Sequence, residues 1–373
     1  MIAYLDNSAT TRPIEPVIDA MAECMREGYF NPSSQYAPAV RSEKMLAQCR
    51  EALLKKVQAR EHVCLFTSGG TEANNLAILG SVGAMRGKPP IAVGVTEHPS
   101  VLASFAQLEA EGYPVQYIPV TAEGLIDYEN FSLHPDTALV SFMQVNNETG
   151  ALLDLDRFCR EVRSMAPKAL IHVDGVQGFL RVPLSLKNID MYTLSAHKIH
   201  GPKGVGALLI KKNVKLKARQ IGGGQENSLR SGTENTPGIA GLYSAVTHMD
   251  ISGLEGKKSA LLNAIRTLVP EALLNGPLED SAPHILNMSF PGVRGEVMLH
   301  ALEEAGVYVS TGSACSSKKR KVSAVLTAMG MDADRAEAAL RFSLSPHTTM
   351  EEIEYAAKKI GEIYPVLKRF RRK

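Results

Sequence analysis

Across 373 residues the chain sets 41 Lys and Arg against 39 Asp and Glu, for a net charge of +2, and is 45% hydrophobic and 21% charged. A chain of this size outgrows one simple core, so a main domain with a smaller one is expected, and the ordinary composition excludes disorder except at the ends. Near-neutral charge gives no general argument for nucleic-acid or membrane binding, and no apolar run or leader-like pattern marks a membrane span or secretion, so the expectation is a cytoplasmic protein with no direct nucleic-acid or membrane contact.

From about residue 13 to 250, short apolar runs alternate with amphipathic stretches, the pattern of a sheet wrapped by crossover helices. In chain order the periodicity predicts a strand over His62 to Thr67, a helix over Glu72 to Met85, a strand over Ile91 to Thr96 and a helix over Val101 to Glu111. Strands are expected at Val115 to Val120, Ala138 to Val145, Leu170 to Asp174 and Met191 to Ser195, with a helix over Leu155 to Ala166. Val205 to Ile210 follows a Gly-Pro turn closely enough to return antiparallel. After a helix over Thr236 to Met249, the break at Ile251-Ser252-Gly253 changes the rhythm. Strands at Ile285 to Phe290, Val307 to Ser310 and Ala339 to Ser343 then interleave with helices at Glu296 to Ala305, Val322 to Met329 and Thr349 to Phe370. The last helix opens on a capping box, Thr349 with Glu352, and its basic end from Lys368 to Lys373 reads as solvated. The expected organisation is a large α/β domain over residues 13–250 and a small α+β domain over residues 251–373, joined by residues 1–12.

Five cysteines, odd in number and without a CxxC pair, argue against both a disulfide framework and a zinc site. Cys24, Cys49, Cys64 and Cys159 sit in helix-like or strand-like patterns and read as buried or half-buried hydrophobes. The polar residues of interest gather where strands end, which in such sheets is where ligands bind. Thr67 to Asn75 joins a strand to a helix through Gly69 and Gly70. It reads either as an ordinary capped turn or as a phosphate cradle built from glycine backbone and the Thr71 hydroxyl. No Lys-Ser/Thr follows at P-loop spacing, which disfavours a nucleoside triphosphate. Thr96 to Ser100 ends another strand with His98, able to stack on a ring, and Val145 to Gly150 supplies side-chain amides suited to a phenolic oxygen and a carboxylate. Asp174 is either a turn cap or a partner for a protonated pyridine nitrogen, with Gln177 one helical turn on. Lys198, in Ser195-Ala196-His197-Lys198, is either a surface lysine beside the Gly201-Pro202 turn or a desolvated amine able to form a Schiff base with pyridoxal phosphate (PLP).

In combination, Leu5 to Thr11, Thr67 to Asn75, Thr96 to Ser100, Asn146 to Gly150, His172 to Gln177, Ser195 to Gly204, Arg230 to Thr233 and Gly312 to Cys315 resemble the cysteine desulfurases of the NifS/IscS type, in the class V aminotransferase branch. The likeness runs in order through nearly the whole chain. It implies the PLP-dependent transferase fold type I, with a large, mostly parallel-sheet domain and a smaller α+β C-terminal domain. It also implies PLP on Lys198, Asp174 at the pyridine nitrogen, Gln177 and Asn147 around the ring oxygen, and His98 over the ring face. Gly70, Thr71, Ser195 and His197 would hold the phosphate, with Thr233 contributed across a homodimer, and Arg341 with Asn147 would take the substrate carboxylate. No resident metal is implied, although Cys315 could contact an iron-sulfur cluster on a partner.

Cys315 separates this reading from a generic aminotransferase or β-lyase, and from a PLP-binding scaffold of low activity. Its small-residue setting, Ser310 to Ser317, suits a loop, and Lys318, Lys319, Arg320 and Lys321 follow at once. Nearby cations favour thiolate in a group whose ordinary pKa is about 8.5. The loop resembles the long, flexible cysteine-loop group. The implied reaction converts L-cysteine to L-alanine with the sulfur passed to Cys315 as a persulfide, then to an acceptor such as an iron-sulfur scaffold or a tRNA-thiolating enzyme. Tyr36 and Asn227 depart from the pattern, standing where relatives carry a histidine and an arginine.

Overall fold

A computed structural model of the chain describes residues 1–312 and 322–370. Cys315 and the basic run Lys318 to Lys321 lie outside the described residues. In chain order the elements begin with β1 (Ala3–Tyr4), α1 (Glu15–Glu27), α2 (Ala37–Lys56), β2 (His62–Thr67), α3 (Gly70–Gly83), β3 (Ile91–Gly94), α4 (Pro99–Ala110) and β4 (Val115–Ile118). β5 (Leu139–Ser141), α5 (Leu155–Met165), β6 (Leu170–Asp174), β7 (Met191–Ser195), β8 (Gly206–Lys211) and α6 (Thr236–His248) follow. The remainder comprises α7 (Leu254–Leu268), β9 (Leu273–Leu274), β10 (Ile285–Ser289), α8 (Gly295–Glu304), β11 (Val307–Tyr308), α9 (Ala324–Ala328), α10 (Ala333–Glu337), β12 (Ala339–Ser343) and α11 (Met350–Phe370).

Seven strands form the central sheet in the order β2-β8-β7-β6-β5-β3-β4. The pairs β7-β6, β6-β5, β5-β3 and β3-β4 are parallel, while β8 runs antiparallel to both of its neighbours. The strands are apolar without strict alternation because both sheet faces are covered. Leu65, Ile91, Leu139, Met191 and Leu208 pack under α3 and α4, whereas Phe66, Ala92, Val140, Tyr192 and Leu209 pack under α2, α5 and α6. Successive residues thus feed opposite layers, as the two-residue strand period requires.

A second core gathers α7, α8 and α11 around β10 and β12, and it also takes in Ala3 and Leu5. β12-β10-β9 is antiparallel, and β1 lies parallel to β11. Asp6 to Arg12 then crosses from this core to the central sheet. Ser343 N–H donates to the Leu5 carbonyl and Asn7 N–H to the Ser343 carbonyl, while Thr11 N–H donates to the His197 carbonyl. At α11, Thr349 N–H donates to Glu352 Oε2 at 2.7 Å and Glu352 N–H to Thr349 Oγ1 at 3.2 Å, completing the capping box. Several strands are shorter than their apolar runs: β3 stops at Gly94 and β5 at Ser141, where the chain turns toward the cavity described below. α3 begins two residues early, at Gly70, so the glycine turn itself forms its first turn.

Candidate active site

The carboxyl ends of β2, β3, β5, β6 and β7 open on one cavity of about 560 Å³. Gly70, Thr71, His98, Asn147, Asp174, Gln177, Ser195, His197, Lys198 and Arg341 all line it, together with Ser8, Asn74, Ser100 and Gly312. Thr233 is exposed and is not on this wall, and Cys315 lies outside the described residues.

The cradle follows from close packing. Gly70 backs onto the turn after β6 so tightly that a Cβ there would stand 2.6 Å from Val176 Cγ2. Only glycine brings the α3 amides this near to the sheet edge. Ser195 ends β7, and the short 3₁₀ turn Ala196–Lys198 then turns His197 and Lys198 to the cavity. Burial holds His197 down at about 4, with the cations of Lys198, Lys203 and Arg181 adding to the effect, so the imidazole is neutral.

A continuous hydrogen-bond chain links Asp174 to His98. Asn74 Nδ2 donates to Asp174 Oδ2 at 2.7 Å and to Ser100 Oγ at 2.9 Å. The Ser100 hydroxyl lies 2.8 Å from His98 Nδ1, which also accepts the Ser100 N–H at 3.1 Å. Accepting there assigns the ring proton of neutral His98 to Nε2. Burial lowers the His98 pKa, opposed by Asp174 and reinforced by Lys198. Asp174 Oδ1 accepts the Val176 N–H at 3.0 Å, so the acid also caps its own turn.

Among the described residues two cations, Lys198 and Arg341, line the cavity, and the crossing segment orients both. Lys198 Nζ donates to the Ser8 carbonyl at 2.6 Å and to the Ala9 carbonyl at 2.8 Å. Gln177 Nε2 donates to the Ser8 carbonyl at 2.9 Å, and Gln177 Oε1 accepts from buried Arg181 at 2.8 Å. Arg341, in the middle of β12, is only 4% exposed, too deeply set for an ordinary surface ion pair. Its guanidinium donates to Asp6 Oδ1 at 2.7 Å and to the Asn147 carbonyl at 2.9 Å.

The residues fit PLP. Arg341 Nε, Asn74 Oδ1 and Ser8 Oγ are buried on residues of the cavity wall with no hydrogen-bond partner among the described residues. Such orphaned groups call for a polar ligand. An anion cradle, a carboxylate fixed by a neutral amide and an amine on the same wall supply what its phosphate, pyridine nitrogen and aldehyde require. Nothing in the sequence alone assigns a role to Asn74, Ser100 or Arg181. The only signal for Arg181 is a lone charge in the apolar run Phe179 to Pro183, and Asn74 lies within the glycine-turn segment itself.

Fold and site together define a PLP-dependent α/β enzyme with its site at the carboxyl edge of a mostly parallel sheet. The family model described as aminotransferase class-V matches residues 3–356. The chain belongs to that family, and within it to the cysteine desulfurases. A protein of Nostoc named cysteine desulfurase is 36% identical over 372 residues, covering 97% of this chain and 92% of its own. A Clostridium botulinum protein named cysteine desulfurase IscS is 37% identical over 379 residues, covering 96% of this chain and 94% of its own. A solved NifS-like protein superposes with a TM-score of 0.91 at 36% identity, covering 98% of this chain and all of that one.

Proposed function

We propose that the chain converts L-cysteine to L-alanine and carries the released sulfur as a persulfide on Cys315. The observation that carries this reading is the meeting of Lys198, Asp174, His98 and Arg341 at one cavity, from four separate stretches of the chain. A second supports Cys315 as the acceptor. Burial pushes Cys49 and Cys159 up to about 12 and Cys64 well above the usual thiol range, and it also raises half-buried Cys24. Thiolate chemistry is thereby withdrawn from buried Cys49, Cys64 and Cys159 and disfavoured at Cys24.

Lys198 would carry the PLP, with Asp174 facing the pyridine nitrogen, His98 the ring face, and Gln177 and Asn147 the ring oxygen. Gly70, Thr71, Ser195 and His197 would hold its phosphate. When bound, PLP supplies an electron sink for the pair released at the substrate α-carbon. Arg341 grips the substrate carboxylate, its guanidinium preoriented by Asp6 and the Asn147 carbonyl. Lys198 Nζ moves the α-proton, a transfer worth about 10²- to 10⁴-fold in rate when the base is positioned. Cys315 thiolate attacks the substrate sulfur. An S–S bond forms as the Cβ–Sγ bond breaks, and the bonding pair stays on the carbon fragment, which takes up a proton to become alanine. L-Cysteine plus the Cys315 thiol therefore balances L-alanine plus the Cys315 persulfide, with no outside oxidant or reductant.

Alanine and protein persulfide should accumulate together on addition of L-cysteine. Lys198→Ala should lose the visible absorbance of the bound cofactor and all turnover, and Cys315→Ser should keep the absorbance while forming no persulfide. Alanine produced at the unmodified rate by Cys315→Ser without added thiol would refute the role of Cys315. The same proposal includes a cytoplasmic setting, an acceptor protein such as an iron-sulfur scaffold or a tRNA-thiolating enzyme, and a homodimer. Thr233, exposed outside the cavity of its own chain, would reach a phosphate across that dimer, and a fully active monomer in sedimentation would contradict it.

A further inference from the structure

Glu148 sits in the strand-end segment that carries Asn147, yet the reaction above makes no use of it. The residue is 8% exposed, so a carboxylate has been taken out of water at the edge of the cavity. Its backbone is fixed on both sides: its N–H donates to Asn146 Oδ1 at 2.9 Å, and its carbonyl accepts from Asn287 Nδ2 at 3.0 Å. The side chain is held by Ser323, whose Oγ donates to Glu148 Oε2 at 2.5 Å while accepting the Leu326 N–H at 3.1 Å as the cap of α9. Gly312 packs against the same oxygen. A Cβ at Gly312 would stand 2.8 Å from Glu148 Oε2, and its φ of +80° is itself a glycine conformation. The approach to Gly312 is anchored too. Gly312 N–H donates to Ser310 Oγ at 3.1 Å, and Ser310 exchanges two backbone hydrogen bonds with Arg341, at 2.7 and 3.1 Å.

Gly312 and Ser323 flank the stretch of chain that contains Cys315, so one buried carboxylate joins both of its stems beside the arginine assigned to the substrate. We propose that Glu148 is a positioning residue for sulfur transfer, tying the two stems together so that the Cys315 thiol is delivered to the cavity. Holding Gly312 and Ser323 against one carboxylate fixes where the intervening stretch begins and ends, which raises the effective concentration of its thiol at the substrate sulfur. This inference rests on the reading of Cys315 as the sulfur acceptor.

The test separates sulfur transfer from proton transfer in the cofactor-loaded protein. Exchange of the α-proton of L-alanine for deuterium reports Lys198 alone, and single-turnover persulfide formation from L-cysteine reports delivery of the thiol. Glu148→Ala and Ser323→Ala should each slow persulfide formation about tenfold, lowering kcat with KM for L-cysteine unchanged, while α-proton exchange stays within about twofold. Glu148→Gln, which keeps an acceptor for the Ser323 hydroxyl, should recover most of the rate. The double variant Glu148→Ala/Ser323→Ala should be no slower than Glu148→Ala, because both remove the same contact. Unmodified persulfide rates in Ser323→Ala and Glu148→Ala would overturn the proposal, as would equal losses of exchange and persulfide formation. Cys315→Ser, run alongside, tests the acceptor itself: persulfide on another residue would overturn that reading and this inference with it, whereas loss of persulfide in Cys315→Ser beside unmodified rates in Glu148→Ala and Ser323→Ala would overturn this inference alone.

Discussion

At the scale of single residues, burial sets the charge of the site more than any partner does. His172, fully enclosed between Ser141 and Thr193, is pushed down to about 4 by burial, and His197 and His200 reach the same value. A histidine whose folded pKa lies below its ordinary 6.5 contributes stability that is fully present above pH 6.5 and is lost as pH falls toward 4. Thermal stability should therefore drop across that window. His172→Asn, which cannot titrate there, should flatten the drop even if its Tm at pH 7 is lower, as melting curves from pH 4 to 7.5 would reveal. An unchanged slope would mean that His172 takes up its proton over the same pH range in the folded and unfolded chains. The polar residues at strand ends were legible only in combination: a lysine, an aspartate or a histidine closing one apolar run is commonplace, and it is their recurrence at several strand ends that marks a site. The hydrogen-bond chain through Asn74 and Ser100 was not. Neutral amides and hydroxyls are common, and only the packing of α3 against α4 brings residues 74 and 100 together.

At the scale of elements, the decisive contact is the first turn of α3 against the turn after β6. Gly70→Ala places a methyl group 2.6 Å from Val176 Cγ2, so the two elements must separate. The expected result is about a tenfold loss of PLP affinity, measured by titrating the cofactor into stripped protein. Val176→Ala in the same protein should restore most of it. Retention of full affinity by Gly70→Ala alone would show that the cradle does not depend on this spacing. Strand positions were readable because a sheet covered on both faces leaves continuous apolar runs. Their ends were less so: the apolar run continues through Val145, yet β5 ends at Ser141 because the backbone beyond it turns to present Asn146 and Asn147. Val322 and Ser323 were expected inside a helix, but Ser323 is its cap, and that cap is what frees the hydroxyl to meet Glu148.

Across the whole molecule, the crossing segment from Asp6 to Arg12 joins the two cores and orients both cavity cations. Asp6 pairs with Arg341 although 335 positions separate them. No local pattern announces such a pair. Asp6→Ala should leave the Arg341 guanidinium less well oriented and raise KM for L-cysteine about tenfold, the scale of one lost charge-assisted hydrogen bond. Steady-state kinetics and the binding of L-alanine would check it, and an unchanged KM would assign Asp6 to stability alone. The same geometry fixes an order of events during synthesis. β2 gains its sheet neighbour only once residues 206–211 have been translated, and β1 only after Val307 and Tyr308. The strand that leads into the residues steadying Lys198 therefore lacks its partner until the ribosome has made most of the chain. A product truncated before β11 would contain Lys198 and its Ser8 and Ala9 contacts, yet lack both the strand partner of β1 and the arginine that pairs with Asp6.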